Sequence, residues 1–407
     1  MDHDVDAAGP QVQMPLASEG DGRIPVLLLT GFLGAGKTTL LNHLVRQPAF
    51  AGTALLINEF GSIGIDHHLV QHLGETMVLL ESGCVCCAVR GDLVAALRDL
   101  HDRLARRQIP DVRRVVIETT GLADPVPVVW TLMQERFVST RFRCDGVVTV
   151  VDAGRGAAQL DTHEEARRQV ALADRLVISK ADCADRSTRE ALDARLAALN
   201  PSALRVEACH GVLDATLLAG AGVYAVPPGG AALAQWLGGD DPQQDAPVAR
   251  HGAHVSSFSM TFDRPLPWRG FAVALGEILA SYGAALLRVK GVMNIAGLAG
   301  PVVVQAVGEV AYAPVRLPRW PSHRGRFDMR GRLVVIAEGL AQAQEDDMRA
   351  RLADLPTDAA ALRQAARLPL LPTRCWLSAR MPGAGGTMET EGWQISAFRP
   401  GRGAVRA

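Results

Sequence analysis

The chain has 407 residues, 48% hydrophobic and 21% charged, a composition that allows one to three globular domains. A formal net charge of −1 gives no global field for nucleic acid or anionic lipid, and no run of 18 apolar residues is present to span a membrane. Met1 to Gly22 is polar and acidic without a basic-then-apolar leader, so a cytoplasmic location is expected, with the seven cysteines serving as thiols or metal ligands rather than disulfides.

Residues 1–22 read as a disordered tail. Over residues 23–222, short apolar runs alternate with helical patterns. The runs Val26–Thr30, Thr53–Ile57, Met77–Leu80, Val115–Glu118, Gly146–Val151 and Leu176–Ser179 predict strands. Lys37–Arg46, Asp92–Arg107 and Ser187–Ala198 predict helices. Strands apolar on both faces, alternating with helices, predict an α/β fold with a doubly wound, mostly parallel sheet. Such sheets bind ligands at the carboxyl ends of their strands.

Residues 223–254 are rich in Gly, Pro, Asp and Gln and read as a linker. Residues 255–355 then predict a small α+β domain. Its strands are Val255–Phe262, Ala285–Ile295, Val302–Val307, Val310–Val315 and Leu333–Ala337, and its helices are Trp268–Ser281 and Ala341–Leu352. Residues 356–407 form a tail with no assignable role.

The segment Gly31-Phe-Leu-Gly34-Ala35-Gly36-Lys37-Thr38-Thr39 follows a strand and opens a helix, the context that a phosphate-binding P-loop requires. Its glycines let backbone N–H groups surround phosphates at a helix N-terminus. Lys37 is the candidate partner of the β- and γ-phosphates, and the Thr38 hydroxyl a candidate Mg²⁺ ligand. Glu118, at the end of the Val115–Glu118 strand, is the second candidate Mg²⁺ contact, because Mg²⁺ prefers hard oxygen donors. The N–H of Gly121, just beyond, is placed to sense the γ-phosphate. Together Lys37, Glu118 and Asp66 are the candidate catalytic set; no base for the attacking water is evident, so slow intrinsic turnover is expected.

Ser179-Lys180-Ala-Asp182 ends another predicted strand and matches the guanine-reading pattern N/T-K-x-D. Guanine offers N1–H and an exocyclic amine, and one carboxylate accepts both; adenine lacks that donor pair, so Asp182 favours GTP. Lys180 is expected over the base plane. Of 42 basic residues only Lys37, Lys180 and Lys290 are lysine. Two of the three fall in nucleotide motifs, which suits a compact ammonium that guanidinium does not imitate.

Between these motifs lie two more. Asn58-Glu59-Phe-Gly-Ser62-Ile-Gly-Ile-Asp66 follows a strand where a GTPase switch loop belongs, with Asp66 a candidate Mg²⁺ contact. Gly83-Cys84-Val-Cys86-Cys87 offers three soft ligands for Zn²⁺ or a similar ion, with Glu59 as an oxygen partner. Close thiols also admit a redox reading, and buried free cysteines are common. His67, His68, His72, His251 and His254 read individually as solvated side chains, though imidazoles at the His251-x-x-His254 spacing can bind Zn²⁺.

These segments resemble the CobW-type GTPases and zinc metallochaperones, over roughly residues 24–340. The matching pieces are Gly31–Thr39, Asn58–Asp66, Gly83–Cys87 with Arg90–Leu93, Glu118–Pro125 and, in the second domain, Arg288-Val-Lys290-Gly291. The resemblance implies GTP hydrolysis coupled to delivery of a transition metal, zinc or cobalt, to a client metalloprotein. It implies that Cys86 is the principal thiol, with Cys84, Cys87 and Glu59 beside it. A nucleotide-dependent homodimer is a further candidate partnership. Three positions depart from the family's pattern: Ser62 replaces a frequent glutamate, Ser179 replaces Asn or Thr, and the histidine-rich run shrinks to His251 and His254. High-capacity zinc storage is therefore not expected. Two neighbouring readings stand beside it: an assembly factor for a cobalt enzyme or the cobalamin pathway, and a thiol redox sensor gated by the GTPase site.

Overall fold

The computed structural model describes residues 22–57, 77–81, 89–218, 255–317, 320, 322–323, 326–327, 329–357 and 359–361. The predicted N-terminal tail up to residue 21, the whole linker, almost all of the C-terminal tail, and the Glu59, Asp66 and Cys84–Cys87 segments lie outside the described residues. So do His67, His68, His72, His251 and His254.

The first domain is a seven-stranded sheet. In chain order its strands are β1 (Ile24–Gly31), β2 (Thr53–Ile57), β3 (Met77–Glu81), β4 (Arg114–Glu118), β5 (Phe142–Asp152), β6 (Arg175–Ser179) and β7 (Leu204–Ala208). They lie in the order β3-β2-β4-β1-β5-β6-β7, and every pairing is parallel. Among the described residues seven helices connect them: α1 (Lys37–Leu44), α2 (Val89–Ala105), α3 (Val126–Gln134), α4 (Arg136–Arg141), α5 (Gly156–Thr162), α6 (Glu164–Leu172) and α7 (Arg186–Leu199). The central strand shows why both faces are covered. Val26 and Leu28 pack with Leu93, Leu97, Val128 and Leu132, while Leu27 and Leu29 pack with Leu40, Leu41 and Leu44 on the opposite face. A period-2 strand that is apolar at every position must bury both sides, which the doubly wound arrangement does.

The second domain is an antiparallel sheet of β8 (Val255–Phe262), β9 (Leu286–Met293), β10 (Val302–Val307), β11 (Val310–Ala311), β12 (Val315–Arg316) and, after a two-strand ladder of β13 (Ser322–His323) with β14 (Arg326–Phe327), β15 (Gly331–Glu338). The order is β11-β10-β9-β15-β8, with β12 also on β10. One face carries α8 (Trp268–Tyr282) and α9 (Gln342–Ala353), packed on Val289, Leu333 and Val335. The alternate residues Leu287, Val334 and Ile336 face the first domain and share a core with Val170, Leu192 and Leu196 of α6 and α7. The two domains are thus joined by buried apolar surface.

Several elements depart from expectation. The strand expected over 310–315 is two short pieces interrupted near Pro314, whose nitrogen cannot donate to a ladder. The helices α3 to α6 and the strand β7 were not predicted. In α3, Val-Pro-Val-Val-Trp is apolar nearly all round and carries no helical period, whereas β7 is short and partly exposed.

Candidate nucleotide site

The P-loop runs from the end of β1 into α1. Gly36 precedes the helix at φ 94°, a left-handed conformation that disfavours any side chain. Lys37 is buried, and its Nζ donates to the carbonyls of Gly31 (2.9 Å) and Phe32 (3.4 Å), which folds the ammonium back over the loop. The Thr38 hydroxyl donates to Glu118 Oε1 at 2.9 Å. β4 delivers Glu118 directly beside β1, in register with Leu29. Two oxygen donors converging at the mouth of a P-loop are the set that a hard divalent cation takes. Beyond Glu118, the Thr119 N–H donates to the Leu29 carbonyl (3.0 Å) and the Thr119 hydroxyl to Thr30 Oγ1 (2.8 Å). Gly121 lies against the P-loop so closely that a Cβ there would sit 2.7 Å from the Leu33 nitrogen.

The base-reading end is built at the tip of β6. Lys180 has φ 55° and its Nζ donates to the Gly34 carbonyl and to Asp152 Oδ2, each at 2.7 Å. Asp152, at the end of β5, also accepts from the Gly154 and Arg155 N–H groups. Burial pushes its carboxyl up, but the Lys180 hydrogen bond and those backbone donors hold it below the usual range. Asp182 accepts from the Cys183 thiol (3.2 Å) and the His210 N–H (3.4 Å), with His210 Nε2 at 3.5 Å. These contacts, Cys183 first, lower its pKa, so it is an acceptor-only carboxylate at neutral pH.

Ser179 closes β6 beside the P-loop. It is buried, and its hydroxyl donates to the Ala35 carbonyl (2.6 Å) and the Val151 carbonyl (3.2 Å). It ties β6 to the P-loop backbone. Lys290 lies outside the site: it is fully buried in the second domain, 2.8 Å from Asp174 Oδ1. Asp152, His210 and Gln169 were missed by the sequence reading; of these, only Asp152 carried a signal, an acid closing an apolar strand next to the Lys180 motif.

Gly31, Gly34, Ala35, Gly36, Lys37, Thr38, Glu118, Gly121, Ser179, Lys180 and Asp182 are therefore gathered at the carboxyl edge of one sheet. Thr39 lies one residue into α1 from Thr38, and its methyl sits where a Gly211 Cβ would approach to 3.0 Å. Glu59, Asp66, Cys84, Cys86 and Cys87 are not among the described residues. The strands that precede them are. Ile57 is in register with both Glu81 and Glu118, so the carboxyl ends of β3, β2 and β4 lie side by side in that order. Among the described residues no group of three His, Cys, Asp or Glu is placed to hold a metal, and no helix is long and apolar enough to cross a membrane.

Comparison with known proteins fits this geometry. Residues 25–207 match the model of the CobW/HypB/UreG nucleotide-binding domain, and residues 255–355 that of the cobalamin synthesis protein cobW C-terminal domain. The chain is 32% identical over 332 residues to the zinc chaperone YjiA of Escherichia coli, covering 82% of this chain and 98% of that one. It is 29% identical to the zinc chaperone CobW of a Sinorhizobium species, covering 84% and 100% of the two chains. The crystal structure of the Zn(II)-bound YjiA GTPase superimposes with a TM-score of 0.64 at 28% identity, over 82% of this chain and 99% of that one. With its P-loop and its Thr38–Glu118 pair, the chain is a P-loop GTPase that belongs to the CobW/HypB/UreG family and carries the CobW C-terminal domain.

Proposed function

We propose that the protein is a metallochaperone that binds a transition metal through Cys84, Cys86 and Cys87, with Glu59 as oxygen partner, and couples GTP hydrolysis to its transfer to a client metalloprotein. Zinc is the expected cargo, since relatives sharing most of this chain's length are named zinc chaperones; cobalt is the alternative. The observation that carries the reading is the strand register. β2 and β3, the strands that precede the candidate switch segment and the metal motif, end in register with each other, and β2 ends in register with Glu118, which supports coupling between the cargo ligands and the nucleotide's metal.

In this reading Lys37 binds phosphate, Thr38 and Glu118 hold Mg²⁺, Lys180 and Asp182 orient the guanine, and Asp66 completes the magnesium contacts. Bound Mg²⁺ supplies charge neutralisation at the β- and γ-phosphates. Ser179 acts through the P-loop backbone, a positioning role. Thiolate ligands must lose their protons to bind, so cargo affinity should fall as pH falls.

Anaerobic titration of the purified protein with Zn²⁺, Co²⁺ and Ni²⁺, with GTP hydrolysis followed at each step, tests this. One equivalent of metal should bind and change the hydrolysis rate, and Cys86→Ala should weaken binding at least tenfold. Absence of both binding and a rate response in the wild-type protein would sink the metallochaperone reading.

A further inference from the structure

The loop that follows Glu118 is held from two sides by helices that also touch the second domain. Gln169, fully buried on α6, donates through Nε2 to the Gly121 carbonyl (3.1 Å) and the Ala123 carbonyl (3.0 Å). Its own carbonyl accepts from the Thr149 hydroxyl of β5 at 2.7 Å, so α6 is fastened to the sheet at that residue. The neighbouring Arg168 reaches both ways. Its guanidinium donates to Asp124 of the loop (3.3 Å) and, through Nε, to Glu338 of β15 (2.8 Å), with Glu164 at 2.6 Å. Glu338 is itself fixed, its N–H donating to the Ala285 carbonyl (2.8 Å).

The other side is α3, into which the loop runs. Asp124 Oδ1 accepts from the Val126 N–H at the start of that helix. One turn on, the Trp130 indole N–H donates to the Val307 carbonyl of β10 (3.0 Å). The indole lies on Gly308, where a Cβ would meet Trp130 Cζ2 at 2.6 Å and where φ is +57°; no other residue fits that turn without displacing the ring. Asp124 is thus the meeting point of both routes, and Gly121, three residues earlier, is packed on the P-loop backbone.

We propose that the second domain reads and biases the nucleotide state through this segment, with Gln169 and Arg168 of α6 and Trp130 of α3 as the positioning residues that connect residues 121–124 to Glu338 and to the β10–β11 turn. The inference rests on the reading of residues 118–121 as the γ-phosphate-sensing end of a GTP site. When that segment shifts between GTP and GDP, it pulls on two attachments across the interface. Coupling is reciprocal, so anything that seats on or alters the second domain changes the preference between the two nucleotides.

Full-length protein would be assayed for affinity to fluorescent GDP and a non-hydrolysable GTP analogue, in the wild type, Glu338→Gln, Arg168→Met and the double variant. The ratio of the two dissociation constants should move by about 5-fold in Glu338→Gln and at least as far in Arg168→Met, which also loses Asp124 and Glu164, and the double variant should move no further than Arg168→Met, since the Glu338 contact is already gone there. A ratio unchanged within twofold, or equal shifts for both nucleotides, overturns the proposal. Hydrogen exchange over residues 302–311 gives an independent readout. It should differ between the two nucleotides in the wild type, and the difference should shrink in Trp130→Phe, which keeps the ring and loses the bond to Val307. No nucleotide-dependent difference in the wild type overturns the proposal. Wild-type protein that fails to prefer GTP over ATP would sink the nucleotide reading, and this inference with it; a wild type that keeps that preference while the ratio ignores Glu338 sinks the inference alone.

Discussion

The interface between the domains holds two ion clusters that differ in burial. In one, Asp174 at the foot of β6 meets Arg288 (2.6 Å) and Lys290 (2.8 Å) of β9, and all three side chains are at most 2% exposed. Asp174 also accepts from the Val147 N–H (2.9 Å), and Arg288 donates to Gln305 Oε1 (2.8 Å). In the other cluster, Arg168 serves Asp124, Glu164 and Glu338 while about a third exposed. Buried ions deprived of a partner have no water to turn to, so the first cluster fixes how the domains meet. The second is bathed by solvent and can exchange partners at little cost. A rigid pivot and an adjustable contact are what a domain needs if it is to respond to a small movement in its neighbour.

The buried cluster also accounts for the third lysine. Burial pushes the Lys290 ammonium down to about 8 although Asp174 favours its charge. A second guanidinium could not release its proton there, whereas an ammonium can.

The largest expected effect concerns the pivot. Asp174→Asn removes the carboxylate that Arg288 and Lys290 share and leaves the buried Arg288 guanidinium without this counter-charge, which should cost about 3–5 kcal/mol of stability, measured by urea denaturation. Replacing the cluster with apolar residues (Asp174→Leu, Arg288→Met, Lys290→Met together) should cost less than that single change, because the desolvation penalty leaves with the ions. A cost below about 1 kcal/mol for Asp174→Asn would erase the distinction between the two clusters.

A smaller effect should appear with pH. Burial pushes the Asp174 carboxyl up, but Arg288 and Lys290 outweigh it and hold the group below the usual carboxylate value. The folded state therefore binds that proton more weakly than the unfolded chain does. The resulting stabilisation is complete above the ordinary aspartate value of about 4 and is lost as pH falls through the lower folded value. Urea midpoints between pH 6 and pH 2 should show the wild type losing stability below about pH 4 faster than the apolar triple variant. Parallel curves would show that Asp174 contributes nothing through its charge.

What was legible in the chain follows the same division between local and tertiary causes. The strands β2, β8 and β10 have the predicted bounds because their apolar and β-branched runs are ended by turn residues. The P-loop was legible because its glycines and Lys37 serve a purpose that is local in sequence. The tie from Ser179 to Ala35, 144 residues away, was not legible, because no spacing rule reports such a contact. Gln169 gave no signal at all: on an amphipathic helix it looks like a surface amide, and only the packing of residues 121–123 over α6 buries it. Asp174, Arg288 and Lys290 were ordinary charges until the second sheet was laid against the first.

The smallest expected effect is the most informative about the comparison. Arg168→Met removes three ion contacts at once, yet each is partly solvated and the methionine keeps the apolar stem that covers α6. Its cost in stability should stay within about 1 kcal/mol, read from the same urea curves. If it approached the cost of Asp174→Asn, both clusters would be structural and the interface would be rigid throughout. A small cost alongside an altered preference between GDP and the GTP analogue would separate the two roles, since an exposed contact that hardly stabilises the fold would then be doing its work only between one nucleotide state and the other.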